Sequence, residues 1–393
     1  AEAGEVLAES PLLTNTVVAS ELDLKKILFL RRRQSSYPGR DSESNLYCDI
    51  DFDLRLTETE LTRKVNPAPF VPTEPEARAE RCEEILRIQS LGLKKRLDHI
   101  HGSRAVLGLS GGLDSTLALL VAVRSFDALG LPRSGIETIT MPAFGTTDRT
   151  YRNACELAAA LGTSLEEISI REAVLQHFKD IKQDPEKHDI TYENSQARER
   201  TQVLMDIANR DNALVIGTGD LSELALGWAT YNGDHMSMYA VNVSVPKTLV
   251  RVLVEHEAGL ASGKLREVLL DILDTPVSPE LLPPKDGVIS QKTEDLVGPY
   301  ELHDFFLFQM LRYGSGPRKI YRLALRAFAG VYDEATVKKW LLTFLRRFFT
   351  QQFKRSCLPD GPKTGSVAVS PRGDLRMPSD AMSRIWIEEA EAL

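Results

Sequence analysis

Cysteine is scarce in this chain of 393 residues, which has four, all widely separated: Cys48, Cys82, Cys155 and Cys357. No pair forms a C-x-x-C motif or a Cys/His cluster with the spacing of a zinc site. Reduced thiols in a cytoplasmic protein fit this usage. No apolar run is long enough to span a bilayer, and the acidic residues 1–10 lack a signal-peptide pattern. We therefore expect no membrane partner.

Positive charge is also in short supply, since the formal net charge is −8. The basic triplet Arg31–Arg33 is short enough to be a solvated helix face, so a nucleic-acid partner has little electrostatic support. Two common catalytic motifs are missing as well: G-x-x-x-x-G-K-[ST] and H-E-x-x-H. Their absence disfavours an ordinary P-loop NTPase and a zinc protease.

The most informative segment that is present is Ser110-Gly111-Gly112-Leu113-Asp114-Ser115. An apolar strand, predicted at residues 105–109, leads into it, and an apolar helix over residues 115–123 leaves it. Two glycines, a helix N-terminus and two hydroxyl groups together favour a pyrophosphate site. Because a carboxylate beside phosphates repels them unless a cation intervenes, we assign Asp114 to Mg²⁺.

Strands and helices alternate after this loop. Further strands are predicted at 137–140, 165–170 and 213–217, with helices at 150–161 and 196–210. This order predicts an α/β fold with a doubly wound parallel sheet. Ligands of such sheets bind at the carboxyl ends of the strands, where Ser110, Met141 and Thr218 would lie.

The two ends of the chain differ from this middle part. Residues 1–65 contain two strand candidates, at 6–8 and 16–19, and a helical pattern at 23–33. Residues 66–80 read as a proline-containing linker, and residues 81–393 as the main domain. After a proline-rich loop beyond Asp271, a helical C-terminal region is predicted over residues 300–352.

A second polar segment, Gly217 to Glu223, also follows an apolar strand. Glu223 is placed to be a second oxygen ligand for the metal held by Asp114. The simpler interpretation of this segment alone is that Thr218 or Asp220 caps a helix and Glu223 complements its dipole. Both interpretations stay open at this point.

Other candidates lie downstream of the first loop. A helix carries Arg198 and Arg200 two positions apart, so one of them faces the site if the other faces away. Trp228 and Asp234 belong to an aromatic and polar loop, although a single tryptophan is more often part of a core. Lys247 follows Pro246 and is a candidate for contact with transferring phosphates.

In this order, the residues resemble the synthetase domain of the NAD synthetases, a family of N-type ATP pyrophosphatases, and in particular its glutamine-dependent branch. The resemblance implies an adenine nucleotide alpha hydrolase-like fold that binds ATP and Mg²⁺. It implies metal ligation by Asp114 and Glu223, and catalytic roles for Asp114 and Lys247. The implied ATP-binding residues are Ser110, Gly111, Gly112, Asp114, Ser115, Met141, Arg198 and Thr218. Those implied for deamido-NAD are Asn194, Arg198, Trp228, Asp234 and Lys247.

The activity implied by the resemblance is ATP-dependent amidation of deamido-NAD to NAD, through an adenylylated carboxylate, with release of AMP and pyrophosphate. Ammonia is the implied nitrogen donor, derived from glutamine in the full-length enzyme, and the implied assembly is a homo-oligomer. Residues 1–65 look like the end of a nitrilase-like glutaminase domain whose catalytic residues would precede Ala1. On this interpretation the chain is a fragment or processed product.

Two alternatives remain at this stage. One is another adenylate-forming amidotransferase domain, such as GMP synthetase, because the Ser110 to Ser115 loop is shared among N-type pyrophosphatases. The other is a module that binds ATP without turnover. Two carboxylates positioned for one metal favour catalysis over the second alternative.

Overall fold

Five parallel strands form a single sheet in the part of the chain that the computed structural model describes, residues 1–36, 50–53, 60–276, 281–282 and 293–393. The strands are β1 (Ala105–Gly108), β2 (Ile136–Thr140), β3 (Ser164–Glu167), β4 (Leu214–Gly217) and β5 (Tyr239–Ala240). Their order is β3-β2-β1-β4-β5, and each neighbouring pair is parallel. The chain therefore builds outward from β1 in both directions, which places a topological switch point between β1 and β4. The predicted doubly wound sheet is confirmed.

Helices cover both faces of the sheet. They are α1 (Leu24–Arg33), α2 (Pro75–His99), α3 (Leu113–Leu129), α4 (Asp148–Leu161), α5 (Arg171–Ile181), α6 (Ile190–Asp211), α7 (Leu221–Leu226), α8 (Lys247–Leu260), α9 (Gly263–Leu273), α10 (Thr293–Val297), α11 (Tyr300–Tyr313), α12 (Pro317–Ala327), α13 (Glu334–Thr350), α14 (Gln352–Arg355) and α15 (Arg384–Glu391). On one face, α2, α3, α8 and α9 share a core that includes Leu93, Leu117 and Val250. On the other face, Phe178 of α5 and Ile207 of α6 pack on the sheet. Because helices pack on both faces of the sheet, the central strands β1 and β4 are buried and apolar.

The edge strand β3 differs from the prediction. The strand expected at residues 165–170 is found at Ser164–Glu167, where Glu166 and Glu167 are exposed. Ile170 is instead the N-cap of α5 and is buried in the core on that face. Its burial beside a helix start, rather than in the sheet, ends the strand early.

The C-terminal region is helical, as predicted. Helices α11, α12 and α13 surround a second core rich in aromatic side chains, including Phe305, Phe306 and Phe344. The short helix α7 contributes Leu221 and Leu226 to the same core. Because α7 directly follows β4, this core anchors one side of the sheet edge at which the candidate site lies.

The N-terminal strands predicted at residues 6–8 and 16–19 are wrong. In residues 1–36 the structure has one helix, α1, and an isolated bridge between Glu2 and Glu5. A β-branched run forms a strand only beside a partner, and Val17 is 94% exposed. The helix predicted at 23–33 is confirmed, with Asp23 as its N-cap and an ion pair of 2.6 Å from Asp23 to Lys319 of α12.

Some of the remaining expectations are corrected by the structure, and others lie outside the described residues or are not tested by them. Helix α2 begins at Pro75, so residues 75–80 of the stretch read as a linker are helical. Cys48 and most of the proline-rich loop after Asp271 lie outside the described residues. The origin of residues 1–65 in a glutaminase domain stays a prediction. None of the helices in the described ranges combines the length and the apolar character needed to cross a bilayer.

Candidate active site at the carboxyl edge of the sheet

The loop after β1 forms a compact turn at the N-terminus of α3. Gly112 is the N-cap residue, and its backbone N–H donates to Ser110 Oγ over 3.2 Å. Ser115 Oγ lies 3.1 Å from Ser110 Oγ and donates to the Gly112 carbonyl over 3.1 Å. The two hydroxyl groups thus stabilise the turn that presents the first backbone amides of a 17-residue helix. Such an end is suited to an anion.

The two glycines in this loop have different surroundings, and only one of them is required by close packing. Gly111 has a φ of +82°, and a Cβ there would lie 2.1 Å from the Thr150 carbonyl oxygen of α4. Gly112 has a φ of −91°, and a Cβ there would meet only Ser110 Oγ, at 3.4 Å. Gly111 is therefore required by close packing on α4, whereas Gly112 leaves open space beside the helix N-terminus.

Three carboxylates and one lysine meet where the loops after β1 and β4 face each other. One oxygen from each of Asp114, Asp220 and Glu223 lies within 4.8 Å of the others. Lys247 Nζ is 2.6 Å from Asp114 Oδ2, 2.6 Å from Asp220 Oδ2 and 3.0 Å from Glu223 Oε1. These four side chains are called the carboxylate cage below. The expectation that Asp114 and Glu223 lie together is confirmed as geometry.

Burial gives the cage unusual acid–base properties. Asp220 is fully buried and Lys247 is 5% exposed. Burial raises the pKa of Glu223 to about 7 and that of Asp220 well above its ordinary value. Burial opposes the charge on Lys247, but the three carboxylates outweigh it and raise the pKa of the ammonium. The group therefore carries more negative charge than one ammonium neutralises when all members ionise.

The donor set fits a hard divalent cation. All three carboxylates offer oxygen, and Asp114 Oδ1 is buried without a hydrogen-bond partner. Oxygen ligands of this kind suit Mg²⁺. Asp220 also caps α7 by accepting from the Glu223 N–H over 2.9 Å, so the capping interpretation holds for Asp220 while Glu223 joins the cage.

Neutral side chains fix the geometry around the cage. Asn242 Nδ2 donates to the Asp114 carbonyl over 2.9 Å and to the Thr218 carbonyl over 3.1 Å. Gln89 of α2 donates to Asn242 Oδ1 over 3.0 Å. The loops after β1 and β4 are thereby tied to each other and to a helix beneath them.

A buried carboxyl group positions the lysine. Asp304 of α11 accepts from Ser222 Oγ, from Thr248 Oγ1 over 2.6 Å and from Thr248 N over 3.1 Å. Ser222 Oγ in turn accepts from the Lys247 N–H over 2.8 Å. Burial raises the pKa of Asp304 to about 6. Sequence reasoning missed Asp220, Asn242 and Asp304 as parts of this arrangement.

The two arginines of α6 reach different loops at the same edge. Arg200 Nε donates to the carbonyl of Met141, directly after β2, over 3.4 Å. Arg198 Nε donates to the carbonyl of Tyr231 over 3.3 Å. Helix α6 begins at Ile190, six residues before the predicted start, because Asp189 caps it. The side chains of both arginines extend towards the carboxyl edge of the sheet, so neither faces away from it.

Thr230, in the loop after α7, forms hydrogen bonds with three polar residues: Asn194 of α6, Asp234 and His235. Its hydroxyl donates to Asn194 Oδ1 over 2.7 Å, its N–H donates to Asp234 Oδ1 over 2.6 Å, and its carbonyl lies 2.9 Å from His235 Nδ1. Asn194 and Asp234 are thus both held by Thr230, and their contact with a shared ligand stays a prediction. Trp228 packs with the C-terminal core, and the Arg347 guanidinium lies 5.1 Å from its ring centroid.

Comparison with known proteins gives one consistent result. The family model described as NAD synthase matches residues 85–314. A protein named glutamine-dependent NAD(+) synthetase from Mycobacterium leprae (strain TN) is 44% identical over 358 residues, which are 84% of this chain and 52% of that protein. One of the same name from Mycobacterium tuberculosis (strain ATCC 25618 / H37Rv) is 40% identical over 99% of this chain and 62% of its own length.

A solved structure agrees in fold. The crystal structure of a glutamine-dependent NAD(+) synthetase from Cytophaga hutchinsonii superposes with a TM-score of 0.65 at 22% identity, covering 79% of this chain and 56% of that one. The chain thus spans about half to three fifths of the length of these curated relatives.

Proposed function

The chain belongs to the NAD synthase family, and we propose that it catalyses the ATP-dependent amidation of deamido-NAD to NAD. The observation that carries the proposal is the carboxylate cage beside the Ser110 to Ser115 turn, at the switch point of the sheet. A phosphate-binding helix end next to a divalent-cation site suits a reaction that transfers an adenylyl group and releases pyrophosphate.

The proposed chemistry follows from the properties of the substrate. A carboxylate is a poor electrophile, and its oxygen is a poor leaving group. Attack of the nicotinate carboxylate on the α-phosphorus of ATP gives an acyl adenylate and pyrophosphate, and ammonia then displaces AMP. The protein contributes orientation of the reactants and stabilisation of developing charge.

ATP is proposed to bind along the carboxyl edge of the sheet. Its phosphates would meet the turn formed by Ser110, Gly111, Gly112 and Ser115, whose amides begin α3. Met141, Thr218 and Arg198, which lie at or reach this edge, complete the proposed nucleotide site.

Mg²⁺ is proposed to bind to Asp114 and Glu223, with Asp220 adding negative charge from a fully buried position. Bound there, the ion would supply positive charge to the departing pyrophosphate. Lys247 is proposed to supply further positive charge to the phosphates, since its ammonium lies among the same oxygens. Together Asp114 and Lys247 are the proposed catalytic residues.

Deamido-NAD is proposed to bind at the loop around Thr230. Asn194 and Asp234 both bond to Thr230, and Arg198 reaches the neighbouring Tyr231 carbonyl. Trp228, two residues before Thr230, and Lys247, in the carboxylate cage, are the remaining proposed contacts.

Ammonia is proposed as the immediate nitrogen donor. The printed names of the relatives include glutamine dependence, and those proteins are longer than this chain. We propose that a glutaminase domain supplies the ammonia in the longer proteins, that residues 1–65 are the end of such a domain, and that the protein acts as a cytoplasmic homo-oligomer.

Product analysis tests the proposal directly. The purified chain with ATP, Mg²⁺, deamido-NAD and ammonium should release NAD, AMP and pyrophosphate in equal amounts, and glutamine should not replace ammonium. Asp114→Asn should abolish ATP–pyrophosphate exchange and leave the far-UV circular dichroism spectrum unchanged. Asp127→Asn is the matched control, because Asp127 pairs with Arg133 at the surface.

Three results would contradict parts of this proposal. AMP release that depends on xanthosine monophosphate instead of deamido-NAD would favour the GMP synthetase alternative. Equal rates with both nitrogen donors would refute the truncated-enzyme interpretation. Undiminished exchange in Asp114→Asn would remove Asp114 from the metal site.

A further inference from the structure

A cysteine and a histidine form a hydrogen-bonded pair outside the carboxylate cage. Cys357 Sγ lies 3.3 Å from His235 Nε2, and His235 Nδ1 lies 2.9 Å from the Thr230 carbonyl oxygen. Since a carbonyl only accepts, the ring hydrogen is on Nδ1 and Nε2 carries a lone pair. The imidazole is thus oriented to accept the proton of the thiol.

The surroundings keep this imidazole neutral. His235 is 5% exposed, and burial lowers its pKa. Two groups add opposing effects: the Asp234 carboxylate favours the charged ring, while the Lys354 ammonium disfavours it. The ring stacks against Tyr231, with centroids 5.6 Å apart. A neutral, oriented imidazole is the form that acts as a general base.

Cys357 is also reachable. It is half-buried, and its thiol hydrogen has two acceptors, His235 Nε2 and the Lys354 carbonyl oxygen at 3.4 Å. The other two described cysteines differ. Cys82 is 2% exposed, and burial raises the pKa of its thiol, while Cys155 lies beside the Tyr151 hydroxyl instead of an imidazole.

We propose that Cys357 is a site of reversible thiol–disulfide exchange with low-molecular-weight disulfides, and that His235 acts as its base. His235 Nε2 takes the thiol proton as Cys357 Sγ attacks one sulfur of the disulfide. A new S–S bond forms to Cys357, the original S–S bond breaks, and the departing thiolate accepts the proton. No other oxidant is needed, because the disulfide is itself reduced.

The pair is connected to the proposed substrate loop through one residue. Thr230 bonds to His235 through its carbonyl, to Asn194 through its hydroxyl and to Asp234 through its N–H. A mixed disulfide on Cys357 has no thiol hydrogen to donate to His235 Nε2. It also adds bulk next to the imidazole that stacks against Tyr231. We expect the Thr230 loop to shift, and with it Asn194 and Asp234. This consequence rests on the proposed function, whereas the exchange chemistry does not.

The chemistry is tested on the whole native chain with 5,5′-dithiobis(2-nitrobenzoate), acid quenching and non-reducing peptide maps. Cys357 should react about tenfold faster than Cys155, and His235→Asn should slow Cys357 by about tenfold. The asparagine amide keeps a donor for the Thr230 carbonyl but lacks the base. A rate for Cys357 no higher than that for Cys155 in the wild type overturns the proposal without any variant. An unchanged Cys357 rate in folded His235→Asn overturns the role of the base.

The link to substrate binding is tested with oxidised glutathione. Treatment should raise KM for deamido-NAD about tenfold with a smaller change in kcat, and dithiothreitol should reverse it. Cys357→Ser should keep its activity and lose the sensitivity, while Cys155→Ser should stay sensitive. Fast labelling of Cys357 with unchanged KM overturns the link alone. A chain that makes no NAD fails the proposed function and leaves the labelling result standing.

Discussion

Replacing Lys247 with methionine should make the protein bind a divalent cation more tightly before any nucleotide is present. In the wild type, the ammonium lies 2.6 to 3.0 Å from three carboxylates, of which Asp114 and Glu223 are the proposed metal ligands. The lysine and the metal therefore compete for the same oxygens. Methionine fills a similar volume and removes the positive charge.

The size of the effect follows from Coulomb's law. Two unit charges at about 4 Å interact with about 4 kcal/mol at an effective dielectric constant of about 20. The lysine side chain can turn aside when a cation enters, which reduces the repulsion between the two. We therefore expect the variant to bind the cation more tightly by about 2.7 kcal/mol, or about a hundredfold in Kd. Without a cation, the unpaired carboxylates should lower the free energy of unfolding by about 3 kcal/mol.

The assay uses Mn²⁺ as a probe for Mg²⁺, with the free ion measured by electron paramagnetic resonance. Lys264→Met is the matched control, since Lys264 is 56% exposed and pairs with Glu156 at the surface. Thermal unfolding with and without the cation provides a second readout, in which Lys247→Met should gain more stability than the wild type. An Mn²⁺ affinity of the variant equal to or weaker than that of the wild type would refute the competition.

Two further predictions concern stability. Burial lowers the pKa of His303 to about 4, so its contribution to stability is complete above the unfolded pKa of about 6.5 and is lost as pH falls towards 4. His303→Gln, which keeps a donor for the Val297 carbonyl, should remove about 2 kcal/mol of the loss between pH 7 and pH 5 in urea unfolding, and parallel curves would argue against it. Gly111→Ala should cost about 2 kcal/mol or more because its Cβ meets the Thr150 carbonyl, whereas Gly112→Ala should fold normally, and equal melting temperatures for the two variants would contradict this.

Strands β1 and β4 were predictable because they are short and apolar and alternate with helices. That pattern located the loops after β1 and β4, and the parallel topology then brought Asp114 and Glu223 together. The N-terminal strands were not predictable in the same way, since a strand depends on a neighbour that local sequence does not specify. Val17 has strand-forming character and yet is exposed.

The missed parts of the site have a common physical reason. Asp220 looks like a helix cap in the sequence, and it is one. Its second role depends on Lys247, which lies at the start of a different helix. A buried carboxylate is tolerated only beside its counter-charge, and that pairing is a property of the tertiary structure. Asn242 and Asp304 escaped notice because their partners are mainly backbone or hydroxyl groups.

Asn242 holds the loops around the cage through hydrogen bonds that involve none of the ionisable groups of the cage. Its amide holds the Asp114 and Thr218 carbonyls at 2.9 and 3.1 Å, and an amide does not titrate in the range where Glu223, with its pKa near 7, takes up a proton. The hydrogen bonds that set the spacing of the two loops therefore do not depend on the protonation state of Glu223. Protonation of Glu223 changes the electrostatic potential in the cage without removing either of these two hydrogen bonds.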